Sequence, residues 1–233
     1  MAEVRSSTAA HFPPSAAPAP GTERRLFRGF GLEVLQGRGG VFICPASRAW
    51  PADAPKRFPE PIRLHLGCGN KRLESYVNVD IVPSAATDVV TNIRSLPMFA
   101  DGTVEEIRLS AVYEHLYRGE RRAAIREWHR VLRPGGTLVL HYIPDFEVIA
   151  RAFLEKRPGL ANPTFDLDEV FLYSHGGYQP HHAPEQLHKD LFTRQSVTDE
   201  LEAAGYELTR IENVCYEDEP IPLNLNVVAC KRA

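Results

Sequence analysis

The stretch LHLGCGNKRLESYVNVDI, Leu64 to Ile81, decides how the chain is read. It holds one apolar run ending in Gly67-Cys68-Gly69 and a second ending in Asp80. At the carboxyl edge of a parallel sheet, the turn after the first strand is where ligands dock, and glycines there let backbone approach a ligand with no Cβ in the way. A dinucleotide site would place a third glycine three positions after the second, so that a helix could press onto the sheet beneath a pyrophosphate. Arg72 stands there instead, which argues against NAD. Asp80, ending the second strand, has the chemistry to accept both hydroxyls of an adenosine ribose. The stretch therefore asks for an adenosine cofactor without a pyrophosphate.

Outward from this stretch, short apolar runs alternate with helical ones. Strands are expected at Ile62 to Leu66, Val77 to Ile81, Asp88 to Thr91, Glu106 to Ser110 and Thr137 to Tyr142. Such alternation implies a parallel sheet with helices on its faces. RGERRAAIREWHRVLRPGG is the clearest helix, with Ala124, Ile125, Trp128, Val131 and Leu132 on one apolar stripe and Pro134-Gly135-Gly136 as the stop. Its arginines read as a solvated face, with a phosphate-binding patch as the alternative. RQSVTDELEAAGY is a second amphipathic helix ending at Gly205, and YELTRIENVCYE and LNLNVVACKR follow as two strands, an antiparallel pair at the sheet end. The connection from Leu66 to Val77 is short for a strand-helix-strand crossover, so a stunted helical turn is expected there.

Upstream, residues 1–23 are rich in Ala, Pro and Ser and read as a disordered tail. Residues 24–61 hold a β-hairpin around the turn Gly37-Arg38-Gly39-Gly40 and a proline-spaced linker. Residues 62–233 form the main domain. At 233 residues, with 43% hydrophobic and 24% charged side chains, the chain has material for one sizeable core. A formal net charge of -3 gives no overall pull toward nucleic acid or anionic membrane. The four cysteines lack CxxC spacing and disulfide density, so reduced thiols are expected. No signal-peptide layout and no run long enough to span a bilayer is present, and a cytoplasmic location is expected.

LHLGCGN, NVDI, TNIRSLPMFADGTVEEIRLSAVYEHL and LRPGGTLVLHYIPD, in this order and spacing, together resemble the class I S-adenosylmethionine-dependent methyltransferases. The resemblance runs from about Ile62 to the C-terminus. It implies an α/β, Rossmann-like, doubly wound sheet, mostly parallel with an antiparallel C-terminal strand and helices on both faces, and S-adenosyl-L-methionine as cofactor. It also implies that Gly67, Cys68 and Gly69 pass under the methionine part, that Asp80 holds the ribose, and that Ser110 borders the cofactor at the end of the fourth strand. Asn92 and Ile93 stand where the family has an acidic residue for the adenine amino group and then an apolar one. An amide oxygen can accept that hydrogen without a carboxylate's charge assistance. His65 replaces the acidic side chain that often precedes the glycine loop, which changes how the cofactor's ammonium group would be held. The compact LGCG…NVD loop resembles that of a branch of small methyltransferases, several of which look associated with sugar and cell-envelope polysaccharide genes.

If the acceptor is a hydroxyl, a base must take its proton. Three residues qualify: His115, in YEHL after the fourth strand; Asp145, in YIPDF after the fifth; and His188, in LHKDLFT. Each has a structural alternative: a helix-start pair with Glu114, a helix cap at Phe146, or a buried carbonyl to satisfy. The segment of about 146–191 reads as a substrate cover, with Tyr173, His175, Tyr178, His181, His182 and His188 among glycines and prolines. His181, His182 and Asp190 are a metal alternative, but no ligand spacing supports it and no metal is expected. The leading reading is a metal-independent methyltransferase acting on a hydroxyl of a sugar or glycan intermediate. A small natural product or peptide is the alternative acceptor. A non-catalytic cofactor-binding scaffold, with the hairpin and tail binding a partner, is the reading outside the enzyme class. Nucleic acid is disfavoured as a partner because the base amino methylase signature is missing and the net charge is acidic. The hairpin is the place where an oligomer could form.

Overall fold

The computed structural model describes residues 24–29, 32–37, 40–45, 58–176 and 186–232. The chain divides into two units, residues 1–49 and 50–233. In the first, β1 (Arg24–Gly29), β2 (Leu32–Gly37) and β3 (Gly40–Pro45) form an antiparallel sheet in that order. β2 and β3 pair from Leu32 with Pro45 to Gly37 with Gly40, around the glycine-rich turn. β1 is a third strand that the two-stranded reading lacked. The tail up to Glu23 and most of the proline-spaced linker lie outside the described residues.

The second unit is built on β4 (Ile62–Leu66), β5 (Val77–Asp80), β6 (Val89–Val90), β7 (Val104–Ser110), β8 (Leu132–Pro144), β9 (Tyr206–Val214) and β10 (Asn224–Lys231). Their spatial order is β6-β5-β4-β7-β8-β10-β9. All neighbours from β6 to β8 are parallel, and β10 runs antiparallel to both β8 and β9. The order reverses between β4 and β7, which puts the loops after those strands at the crevice where ligands bind in open α/β sheets.

Helix α1 (Arg118–Val131) follows β7, α2 (Phe146–Leu154) and α3 (Leu167–His175) follow β8, and α4 (Arg194–Ala203) precedes β9. The α1 stripe buries Ala124, Ile125, Trp128 and Val131, and the Trp128 indole donates to the Ile93 carbonyl at 2.8 Å. That spends the one polar group of a fully buried ring. α1 ends at Val131 rather than at the Pro134-Gly135-Gly136 stop, because Leu132 already pairs with Val104 as the first residue of β8. α3, capped by Asp166 at its start and by Gly176 at φ +81, has no counterpart in the sequence reading. With Ile149, Ala152, Phe165, Tyr173, Ile221 and Leu223 it forms a small core of its own.

One helix-face arginine is not solvated. Arg121 is 3% exposed. It donates to Glu200 on α4 at 2.6 Å, to Asp190 at 3.1 Å and to the Leu116 carbonyl at 3.2 Å. Its guanidinium lies over the rings of Phe192 and Tyr113, at 4.7 and 5.2 Å from their centroids. The Tyr113 hydroxyl donates to the same Glu200 oxygen at 2.7 Å. Removing the cation strips Glu200 of its closest partner and leaves Asp190 to the exposed Arg118, so Arg121→Met should cost about 3 kcal/mol in urea unfolding. Arg121→Met combined with Glu200→Leu should recover a substantial part of that loss.

Candidate cofactor and acceptor site

Gly67 and Gly69 adopt φ +70 and +53, the left-handed region that favours glycine. The Gly67 amide donates to the Val79 carbonyl at 2.8 Å, and a Cβ on Gly67 would sit 2.5 Å from Val112 Cγ2. The loop after β7 is therefore packed against the glycine turn. A Cβ on Gly69 would meet nothing within 4 Å. Asp80 accepts from the Gly69 amide and from the Val82 amide, both at 2.8 Å, one on each carboxylate oxygen. Each oxygen keeps a further lone pair for a hydroxyl donor. A left-handed glycine turn beside open space, with this carboxylate at its rim, fits the adenosine cofactor that the sequence asked for. Cys68 points the other way, 3% exposed, with its sulfur 3.7 Å from Thr87 Oγ1 and its thiol pushed up by burial.

The connection from β4 to β5 contains no helix, only short turns, one of them closed by the Lys71 amide on the Cys68 carbonyl at 2.9 Å. Its backbone is held by the side chain of Asn78, which is 0% exposed. The Asn78 amide oxygen accepts from the Leu73 amide at 2.9 Å, and its nitrogen reaches the Leu73 and Tyr76 carbonyls and Asp88 at 3.1 Å. Arg72, at the position a dinucleotide site would give to glycine, donates to Asp88 at 2.7 Å and to the Ala86 carbonyl at 3.2 Å. His65 is drawn into this network rather than turned toward a ligand: it is 4% exposed, and its Nδ1 lies 3.0 Å from the Asn78 oxygen. The amide oxygen can only accept, so Nδ1 carries the proton, and burial lowers the imidazole's pKa. Asn78 is the residue that the sequence reading missed. Its signal was a polar side chain inside the apolar run VNVD.

On the adenine side, the Asn92 side-chain oxygen already accepts from the Arg94 amide and from Arg94 Nε, both at 3.0 Å. Arg94 is paired in turn with Glu120. Ile93 belongs to the core, 9% exposed. Ser110 ends β7 opposite His141, and the next residue, Ala111, is forced to φ +51 as its amide reaches the His141 carbonyl at 3.0 Å. A non-glycine residue in that region turns the chain sharply at the sheet edge.

That turn delivers Tyr113–His115 as a single 3₁₀ turn separate from α1, so Glu114 and His115 are not the start of the long helix. His115 meets His188 edge to face, ring centroids 5.1 Å apart. His115 Nδ1 lies 3.3 Å from the Leu187 carbonyl, and His188 Nδ1 2.7 Å from the Tyr173 carbonyl. Both therefore donate through Nδ1 and leave Nε2 with its lone pair. Burial keeps both neutral, lowering His115 and taking His188 to about 4. Glu114 beside them is 2% exposed, and burial pushes its carboxyl up to about 8.

Asp145 is placed differently. It caps α2 through the Glu147 amide at 3.2 Å and accepts from Asn213 at 2.9 Å, 2% exposed. Tyr173 lies in the small core with its hydroxyl on Glu219 at 2.7 Å, so it does not line an acceptor surface. Tyr178, His181 and His182 lie outside the described residues, and Asp190 is engaged by Arg118 and Arg121. A groove of about 470 Å³ between α1 and α4 is lined by Arg118, Arg122 and Arg126, but it belongs to the Arg121 network and not to the strand ends.

An α/β sheet that reverses order beside a left-handed glycine turn, with a carboxylate at the next strand end, defines a protein that binds a nucleoside cofactor. Residues 64–140 match the family model described as a methyltransferase domain. A search of curated proteins by sequence finds no match. Among solved structures, an S-adenosylmethionine-dependent methyltransferase of Methanosarcina mazei superposes with a TM-score of 0.50 at 17% identity, over 75% of this chain and 95% of that one. The 1,6-didemethyltoxoflavin-N1-methyltransferase of Burkholderia thailandensis, determined with S-adenosylhomocysteine and its acceptor, gives 0.50 at 16%, over 74% and 71%. An S-adenosylmethionine-dependent methyltransferase of Listeria monocytogenes, described as putative, gives 0.50 at 13%, over 76% and 94%. The sheet has the strand order and single antiparallel strand of the class I methyltransferase fold, and residues 64–140, from β4 into β8, are the part that matches the methyltransferase domain model.

The two glycines separate folding from ligand binding. Gly69→Ala faces open space, so it should cost only the left-handed penalty of about 1–2 kcal/mol in thermal unfolding. Calorimetry on the same variant should show S-adenosylhomocysteine affinity reduced at least about tenfold, because the methyl group enters the ligand's space. Gly67→Ala should cost more stability, since it must also displace Val112.

Proposed function

We propose that the domain methylates a hydroxyl group of a sugar or glycan intermediate. The observation that carries this reading is the pair of neutral imidazoles, His115 and His188, held beside a buried carboxyl on the loop that packs against the glycine turn. When bound, S-adenosylmethionine supplies a methyl group on a cationic sulfur. Asp80 holds the ribose hydroxyls, Gly67, Cys68 and Gly69 give the methionine part its close approach, and Ser110 borders the cofactor from β7. Asn92 contributes less, because Arg94 already occupies its oxygen.

The remaining work falls on the acceptor side. An alcohol loses its proton as the new C–O bond forms and the C–S bond breaks, so something must help that proton leave. The Nε2 lone pairs of His115 and His188 are the groups suited to it, either by taking the proton or by holding a cation that acidifies the hydroxyl. Asp145 is a positioning residue for α2. Neutral, hydrogen-bonding groups also suit a carbohydrate, which offers many hydroxyls and little apolar surface. The small core under α3 keeps that side rigid.

Two measurements test the reading. Calorimetry should show S-adenosylhomocysteine binding with no binding of NAD. Asp80→Asn should weaken it about ten- to a hundredfold, the scale of lost charge-assisted hydrogen bonds. Incubation with S-adenosylmethionine labelled in the methyl group, across free and nucleotide-linked sugars, peptides and heteroaromatic amines, should label a sugar as a base-stable methyl ether. His188→Ala should then lower turnover by about 10²–10⁴ with product affinity unchanged. Label on nitrogen or on a peptide would replace the sugar acceptor, and failure to bind S-adenosylhomocysteine would favour a scaffold.

A further inference from the structure

Glu114 is the residue on the acceptor side that a simple base mechanism does not use. Its Oε2 is buried with no hydrogen-bond partner. Buried carboxyl oxygens left without a donor are costly and rare, and an ion is one of the few things that explains them. One ligand-capable atom from each of Glu114, His115 and His188 lies within 4.8 Å of the others. Around a metal at ligand distances of about 2.0–2.2 Å these atoms would stand roughly 3–4 Å apart, a change that side-chain torsion can supply.

The backbone prepares the same three residues. The Lys189 amide donates to the Glu114 carbonyl at 2.8 Å, tying the 3₁₀ turn to the segment that carries His188. Each imidazole spends its Nδ1 hydrogen on a main-chain carbonyl, which fixes the ring and presents Nε2, the arrangement found behind metal-bound histidines. The Lys189 ammonium lies over the Tyr117 ring, 5.5 Å from its centroid. Spacing rules missed the set because Glu114-His115 and His188 lie far apart in the chain and meet only through the fold.

We propose that Glu114, His115 and His188 bind a divalent first-row transition ion, with open coordination positions that take the acceptor's oxygen. Two imidazoles and one carboxylate suit Zn²⁺ and its neighbours better than Mg²⁺ or Ca²⁺, which favour all-oxygen sites. The proposal rests on the hydroxyl-acceptor reading for its purpose. The ion acts as a Lewis acid that lowers the pKa of the bound hydroxyl, whose proton passes to water. The C–O bond then forms as the C–S bond breaks, the sulfonium becomes a thioether, and no redox partner is needed. Methyl transfer is metal-dependent on this account, in contrast to the metal-independent expectation from sequence.

The test uses the full chain stripped with a chelator and titrated with Co²⁺, followed by its visible bands, and with Zn²⁺ by calorimetry. One ion per chain is expected, with affinity falling at least about tenfold in Glu114→Gln and in His188→Ala. The double variant His181→Ala/His182→Ala should keep full affinity. Glu114→Gln is nearly isosteric, and an unchanged unfolding midpoint would show that its loss is not misfolding. The proposal is overturned if Co²⁺ finds no site, if binding survives Glu114→Gln and His188→Ala, or if it disappears in the His181→Ala/His182→Ala chain. S-adenosylhomocysteine affinity, measured in the same samples, separates the two readings. Product binding without Co²⁺ binding removes the ion and leaves the methyltransferase reading intact. Co²⁺ binding without product binding leaves the metal site standing and removes the reading that gave it a purpose.

Discussion

The buried guanidinium of Arg121 is the constraint on which the 3₁₀ turn and the His188 segment depend. It draws α1, α4, the 3₁₀ turn and the segment around Asp190 to one point through Glu200, Asp190, Tyr113 and the Leu116 carbonyl. A charge this far from water is tolerated only when its hydrogen bonds are met, and here aromatic rings close the remaining faces. Lys189 and His188 lie just before Asp190 in the chain, so the same contact that fixes the helices also fixes one half of the imidazole pair. His115 follows Tyr113 by two residues, so the other half is fixed by the same cation.

On the cofactor side the organising element is an amide. The usual crossover helix between the first two strands of such a sheet is missing, and Asn78 satisfies the loop backbone that a helix would have satisfied internally. His65 and Asp88 complete the arrangement. The short loop therefore keeps its glycines in place by a buried polar network whose members are all matched, which is where such networks confer rigidity.

Much of this was legible in sequence because it is local. Period-two apolar runs place β4, β5 and β7, and the α1 stripe places Trp128 against the sheet. Gly67, Gly69 and Asp80 are readable because a turn and a strand end impose their chemistry within a few residues. Strand ends were less legible: β8 begins at Leu132 because it pairs with Val104, a long-range fact that Pro134 and two glycines conceal. Side-chain roles set across the fold were invisible. Arg121 looks like any arginine of a solvated face, Asn92 gives no sign of its bond to Arg94, and Asp145 reads equally well as a base or a cap until Asn213 is seen against it. Glu114 and His115 suggested a helix start, since nothing in YEHL says that the turn stops before α1.

Tyr173 holds two loyalties. Its hydroxyl anchors the small core through Glu219, and its carbonyl orients His188. The arm joining α2 to α3, by contrast, carries exposed Leu160 and is flanked by exposed Leu154 at the end of α2 and Leu167 at the start of α3. Orientation of the His188 ring therefore rests on a closed core rather than on the exposed arm beside it. Changes of length or sequence in that arm can be absorbed at the surface without disturbing the carbonyl that holds the ring.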